Sequence, residues 1–365
     1  MNQMRKRIRL AAAMVAAMAL GFAVPGTASA EESTTTIEVL FSGLNGPRKV
    51  TWDARLHVAL VAEAGQTQAP CIGAGGPTDC FSKSGSVFAW VPFLHRGERV
   101  LTGLPALVNP GGLSGLNKVQ LQRDGQLLAL FGLTGRTATR DAHGPDAAPL
   151  GQVNRIAFNG RITPVADLVA FEDANNPDAG GFNSNPFGLF SDSRGTAVTD
   201  AGANAVLSVG SDGQLSVLDV PPRIPFAGRT IDPVPTSIVR GPDGAYYYGE
   251  LEGGPFPKGL APIWRIVPGQ ERTLVATGFT NIIDIAFDCK GRLLVLEFAE
   301  NGLASGNPAG RLVRIEPDGT QTVLARDGLV HPGGLAVAPN GDIYVTNNIS
   351  GPDGTGQLLR IRGAG

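Results

Sequence analysis

Beyond Val24 the chain has no apolar run long enough to cross a bilayer, which excludes a later helical membrane anchor. It also lacks clustered Lys and Arg, so nothing in it builds the cationic surface that phosphate backbones require, and nucleic acid is not an expected partner. No Gly-x-Ser-x-Gly elbow, His-Glu-x-x-His pair, phosphate-cradling Gly-Lys-Ser/Thr loop or calcium-loop pattern is present. The four histidines, His57, His95, His143 and His331, fall in separate segments, so no recognisable catalytic signature stands out and enzymatic activity is left open. Cysteine is scarce, with three in 365 residues. Cys71 and Cys80 share one loop and are expected to form a disulfide, the alternative of two metal-binding thiols lacking Cys-x-x-Cys or His spacing. Cys289 is left as a free thiol.

What is present begins with a leader. Arg5-Lys6-Arg7-Ile8-Arg9 is a positive start, Leu10 to Val24 a short apolar stretch, and Ala28-Ser29-Ala30 a small-residue cleavage site. Residues 1–30 read as a Sec-type signal peptide, cleaved after Ala30, with no twin-arginine pair and no lipid-accepting cysteine. Residues 31–365 read as a single secreted domain, expected to be monomeric. Its formal charge follows from the whole-chain value of −2 less the four basic residues of the leader, −2 − 4 = −6.

The mature segment repeats a unit about every fifty residues, longer across the first two copies. Anchors fall at Pro47, Leu116, Pro186, Pro235, Ile282 and Pro332. Nine positions later, five copies carry Gly125, Gly195, Gly244, Gly291 or Gly341 in hairpin sequences such as Pro-Asp-Gly and Pro-Asn-Gly. The first copy has Trp52-Asp53-Ala54-Arg55 instead, and a longer turn is expected there. The pattern predicts an all-β fold, a six-bladed β-propeller with four-stranded blades. The last copy ends after its third strand, and Ile37-Glu38-Val39-Leu40 matches the missing fourth, so the N-terminal strand should complete the last blade and close the ring.

Strands alternate in direction, so first-to-second and third-to-fourth turns share one face, while second-to-third and inter-blade connections share the other. The former are short. Nearly every long segment falls in the latter: 66–84, 105–115, 136–150, 172–183, 219–233, 252–260 and 301–309. The loop-rich face is therefore the expected binding surface for a small molecule, glycan or protein.

Several segments resemble the ScyD/ScyE-like family of exported propellers, associated with scytonemin biosynthesis and related in repeat style to NHL-type propellers. They are Leu44-Asn45-Gly46-Pro47-Arg48, Cys71-Ile72-Gly73, Asn175-Asn176-Pro177-Asp178, Ser184-Asn185-Pro186-Phe187-Gly188, Pro255-Phe256-Pro257 and Thr280-Asn281-Ile282-Ile283-Asp284. The resemblance implies an exported binding or scaffold propeller and carries over no catalytic residue.

Two sets of polar residues are candidates for function. At the blade entrances stand Arg48, Asn117, Asn185, Thr236, Asn281, Asp284 and His331, with Lys49 and Lys118 beside them. At the ends of second strands stand Glu63, Asp200, Glu250, Glu297 and Asn347. Glu63, Glu250, Glu297 and Asn347 could converge on a divalent cation such as calcium, as in lactonase-like propellers. Alternatively each bonds the backbone of its own second-to-third loop, and repetition in every blade favours that structural role. Arg155, Arg265, Arg314 and Arg360 are expected to pair with nearby acids or carbonyls. The leading expectation is a binding or scaffold protein; the alternative is a metal-assisted lactonase or hydrolase, or a late step on an exported aromatic metabolite.

Overall fold

The computed structural model describes residues 35–73 and 79–363; the leader lies outside them. Among these residues no helix is long and apolar enough to cross a membrane.

Six sheets of four or five strands follow one another along the chain as a ring of blades. Taking strands from the channel outward, the first blade holds β2 (Pro47–Asp53), β3 (Val58–Glu63), β4 (Cys80–Val91), β5 (Arg96–Asn109) and β6 (Gly112–Ser114). The innermost strands of the next five are β7 (Leu116–Leu121), β11 (Pro186–Asp192), β17 (Pro235–Arg240), β21 (Ile282–Phe287) and β25 (Gly334–Val337). Each innermost strand contacts its two neighbours around the ring, β25 against β2 included.

The ring closes as the repeat predicts. β1 (Thr36–Leu44) is the outermost strand of the sixth blade and pairs antiparallel with β27 (Gly356–Arg362), with Ile37 opposite Ile361 and Val39 opposite Leu359. Arg360 Nη2 donates to Glu38 Oε2 at 2.5 Å across this seam, and Phe41 packs on Phe88 of the first blade at 4.4 Å between ring centroids.

Middle strands lie between two neighbouring blades and are covered on both faces, so they are continuous apolar runs. Val58–Glu63, Leu127–Phe131, Leu293–Glu297 and Ile343–Asn347 are buried at every position. Outer strands such as Gln321–Ala325 are half exposed. The core is accordingly not one cluster. Apolar side chains gather at each blade-to-blade seam, from Val61, Phe88, Tyr344 and Leu358 between the sixth and first blades to Ile283, Leu296, Val345 and Leu359 between the fifth and sixth. Stability is thus shared among adjoining blades, as in other repeat proteins.

The five hairpin glycines all have positive φ, from 77° at Gly291 to 153° at Gly195. The first blade corrects the expectation of a longer turn. Residues 54–57 connect β2 to β3, against 122–126 between β7 and β8 (Leu127–Phe131). The carboxylate of Asp53 accepts from the amides of Arg55 and Leu56, and His57 takes the left-handed conformation at φ 54°. An Asx-type cap and a left-handed histidine replace the glycine.

The asymmetry between faces holds. Third-to-fourth turns span residues such as 92–95, 157–161 and 210–214, whereas second-to-third connections reach 132–151 and 298–310. Some long segments carry their own structure. β4 and β5 extend past the blade as a hairpin with β6 added, α1 (Thr137–Asp141) and α2 (Leu168–Asn175) pack together, and Ile224–Phe226 pairs with Arg229–Ile231. The Cys71–Cys80 disulfide lies at the far end of the first of these insertions, where Cys80 pairs with Val108.

Candidate functional site

The second-strand acids do not converge on a common centre. Glu63 accepts from the backbone amide of Asn45 at 2.7 Å, from Ser86 Oγ at 2.5 Å and from Nε and Nη2 of Arg99. In the fifth blade Glu297 accepts from the amide of Thr280 at 2.8 Å and is paired with Arg311. Asn347 accepts from the amide of Val330, and Asp200 from that of Asn185. The common target is the segment leading into the same blade, not the second-to-third loop expected from sequence. Only Asp200 also bonds that loop, through the amides of Gly202 and Ala203. These four side chains thus pin the chain where it turns into its blade.

Glu250 differs. Its Oε1 accepts from Trp264 Nε1 at 2.7 Å, while Oε2 is buried without a hydrogen-bond partner. Burial holds its carboxyl well above the usual range despite the indole, with Glu252 and Asp219 adding to the rise. Glu63, Glu250, Glu297 and Asn347 therefore sit in four blades, three of them already saturated by protein donors, and do not fit one calcium ion. Among the described residues no three His, Cys, Asp or Glu side chains group as metal ligands.

The blade-entrance residues fall at or just before the starts of the innermost strands. One position past each anchor, Asn117 Nδ2 donates to the carbonyl of Pro186 at 2.7 Å, and Thr236 Oγ1 donates to that of Ile282 at 2.6 Å. Each links its blade to the next. Two positions past the anchor the ring reads Lys49, Lys118, Gly188, Ser237, Asp284, Gly334. Lys49 spans the channel to Asp284 at 3.1 Å, donates to the carbonyl of Ile283 and lies 5.1 Å from the Phe187 ring centroid. Asp284 also accepts from the amide of Leu335, so one carboxylate joins three blades. Burial lowers Lys49 to about 8, against the opposing pull of Asp284, and the charges of Lys118 and Arg48 add to the fall.

Above this ring, on the loop-rich face, is a cavity of about 350 Å³. Its walls come from the first, second, third and sixth blades and the β5–β6 tip, and they include Arg48, Asn117, Asn185, Phe187, Thr134 and Asp353. Three of the seven entrance candidates thus share one pocket. Arg48 Nη2 donates to the carbonyl of Leu113 at 2.8 Å, and its Nε is buried without a partner. Desolvation alone lowers its guanidinium to about 10. Asp353 is occupied at the rim by Thr67 and the amide of Gln68.

The remaining candidates lie elsewhere. Asn281 holds the carbonyl of Leu251 and the amide of Leu303. His331 stacks on Phe298 at 4.3 Å, and desolvation lowers its pKa. The recurring arginines pair with acids as expected: Arg155 with Asp124, Arg265 with Asp243, Arg314 with Glu316 and Arg360 with Glu38.

Two buried acids escaped sequence reasoning. Glu252 is fully buried with both carboxylate oxygens unpartnered, and desolvation pushes it up to about 8. Glu172, on α2, is pushed up to about 7 by burial, with the charge of Asp200 adding. Both lie in insertions, where repeat alignment offers no register.

No family model and no curated protein matches the chain. Solved structures do. A gluconolactonase from Xanthomonas campestris aligns over 90% of this chain and 89% of its own at 10% identity, TM-score 0.56. A calcium-binding protein, regucalcin, from Agrobacterium tumefaciens aligns over 89% and 92% at 13% identity, TM-score 0.53. A luciferin-regenerating enzyme aligns over 90% and 95% at 11% identity, TM-score 0.53. At such identities the likeness establishes the six-bladed propeller fold.

Proposed function

We propose that this chain is an extracytoplasmic propeller of the ScyD/ScyE-like kind that takes a small polar molecule in the pocket over its channel. The observation that carries the reading is the cavity of about 350 Å³ into which Arg48, Asn117 and Asn185 are gathered on the loop-rich face. A volume of this order suits a small ligand and is too confined for a protein surface. Arg48, with a buried donor unsatisfied, supplies the unmet hydrogen-bonding demand that a ligand oxygen would answer. The leader and the Cys71–Cys80 bridge support export.

A second reading, hydrolysis of a lactone or related ester, is favoured over a pure scaffold by the neighbours named for small-molecule chemistry. Here Arg48 would hold a carbonyl or carboxylate oxygen of the substrate. The metal-assisted form of that reading finds no fitting ligand set in Glu63, Glu250, Glu297 and Asn347, so no step is assigned to an ion.

The test is a small-molecule calorimetric screen alongside proton-release assays on a lactone panel, run on the mature protein and on Arg48→Gln. A ligand or turnover that Arg48→Gln weakens supports the site. Binding or turnover that Arg48→Gln leaves unchanged moves the site away from this pocket.

A further inference from the structure

The insertion between the second and third blades holds a group of buried oxygens that accept nothing from the protein. α2 is capped at its C-terminus by Asn176, which takes the left-handed conformation at φ 43° and donates its amide to the carbonyl of Glu172. Residues 172 and 176 therefore meet on one face of the last helical turn. Glu172 is 1% exposed, and neither of its carboxylate oxygens accepts a hydrogen bond. Asn176 gives its Nδ2 to the carbonyl of Gly180 at 3.0 Å, which fixes the amide and leaves its Oδ1 buried and without a partner.

The chain beyond folds back on this turn. Gly180 donates to Asp178 Oδ1 at 2.8 Å, and Asp178 Oδ2 accepts from Asn204 Nδ2 of the third blade at 2.8 Å. Asp200, fully buried, accepts from the amide of Asn185 and from Ser184 Oγ. Segments 183–185 and 200–204 are in close contact, since a Cβ on Gly202 would lie 2.9 Å from the carbonyl oxygen of Asn183. Burial raises Glu172 to about 7, with the charges of Asp200 and Asp178 adding and the nearby amide of Asn183 opposing. Basic groups of the neighbouring segment are committed elsewhere: Arg136 to Asp173, Arg140 to Asp141 and Asp167. Among the described residues none of Glu172, Asp178 and Asp200 forms an ion pair. The fifth blade sets Arg311 opposite Glu297, whereas the third sets Ala205 opposite Asp200.

Buried acceptors without donors are costly, and the three here stand at a helix C-terminus, whose carbonyls add partial negative charge. A proton on Glu172 supplies one donor at best and leaves an oxygen over, and a water brings no charge. We propose that this turn binds calcium, with the Glu172 carboxylate and Asn176 Oδ1 as direct ligands and Asp178 and Asp200 supplying negative field around them. Calcium accepts carboxylate and amide oxygens together and completes its shell with carbonyls and water. Only one direct ligand is acidic, so the site needs no group of three carboxylates. It is separate from the channel and from Glu63, Glu250, Glu297 and Asn347. The ion would brace the segment that carries Asn185 into the cavity wall, and it stands whether or not that cavity is occupied.

The experiment is isothermal titration of the mature protein, stripped with a chelator and dialysed, with calcium chloride at pH 8, magnesium chloride and sodium chloride serving as contrasts. Saturable binding of one calcium is expected, with magnesium weaker because it demands a stricter octahedron and gives up water reluctantly. Glu172→Gln keeps the shape and removes the charge, while Asn176→Gly keeps the left-handed cap and removes the amide oxygen. Each should weaken calcium about tenfold or more, the range seen when support for a bound metal is removed. Calcium should also raise the melting temperature of the wild type, and Glu172→Gln should abolish that rise. Glu252→Gln, at the other buried acid with two unpartnered oxygens, should bind calcium as the wild type does. Should Glu172→Gln fail to fold, Asn176→Gly decides alone. Four results overturn the proposal: no saturable calcium binding by the folded wild type, an equal response to magnesium or sodium, full calcium affinity in Glu172→Gln or Asn176→Gly, or loss of binding in Glu252→Gln.

Discussion

Lys49 of the first blade and Asp284 of the fifth meet across the channel at 3.1 Å, with side chains 1% and 3% exposed. An ion pair this deep gains little over an apolar pair but is costly to break, because the survivor is left charged and dry. Lys49→Met alone should cost about 3–5 kcal/mol. Lys49→Met with Asp284→Leu should recover much of that loss. Urea denaturation of the two singles and the double measures the coupling directly.

Glu252 and Glu172 give the fold an acidic preference. Both carboxyls are raised in the folded state, to about 8 and about 7, so their neutral forms are native. Unfolding lets them ionise near the ordinary carboxylate value. Their contribution is therefore complete below about pH 4.5 and is lost as pH rises through about 7 and then about 8. Thermal melts from pH 5 to pH 9 should show stability falling from pH 5 to about pH 8 and levelling off above it. Glu252→Gln should flatten that fall; an unchanged profile would contradict the assignment.

Gly334 stands where a side chain has no room. A Cβ there would lie 2.6 Å from Lys49 Cα and 3.0 Å from the Val50 nitrogen, both backbone atoms. Gly334→Ala should push the sixth blade off the first and cost about 1–3 kcal/mol, as overpacking does. Gly181→Ala, with nothing within 4 Å, is the matched control and should be nearly neutral in the same melt.

Deleting the chain through Leu44 removes β1 and uncovers the edge of β27. Its free backbone groups would then be available to another molecule. A lower melting temperature and a shift to larger species in size-exclusion chromatography are expected. A truncated protein as stable and as monodisperse as the intact one would show that closure contributes nothing.

The Cys71–Cys80 bridge closes a segment with a sequence separation of 9 residues. Replacing both with serine should lower stability by about 2–3 kcal/mol on loop-closure grounds. Limited proteolysis of the same variant should cut first within residues 66–79.

The blade count, the ring closure and the face that carries the insertions were legible in the chain, because a repeat writes its turns and strands at fixed intervals. Hairpin glycines mark positive φ, and apolar runs mark strands covered on both sides. The first hairpin was misjudged since His57 can adopt the left-handed conformation that glycine signals elsewhere. The second-strand acids were recognisable as a set, but their true partners were not. Glu63 reaches Asn45 and Arg99, positions 18 and 36 residues away, which periodicity does not connect.

The sequence by itself determined six like units, their order and the closing strand, since each depends on local pattern and on edges that must be paired. Tertiary structure alone decided which polar groups share a space. Arg48, Asn117 and Asn185 come from three blades, and whether they line one pocket depends on how the blades lean together. The same holds for charge: Lys49 finds Asp284 from 235 positions away in sequence, while Lys118, at the equivalent level of its own blade, feels the charge of that same carboxylate but forms no salt bridge among the described residues. Such pairing is set by the curvature of the ring, which arises from packing at every blade-to-blade seam together and is written in no single repeat.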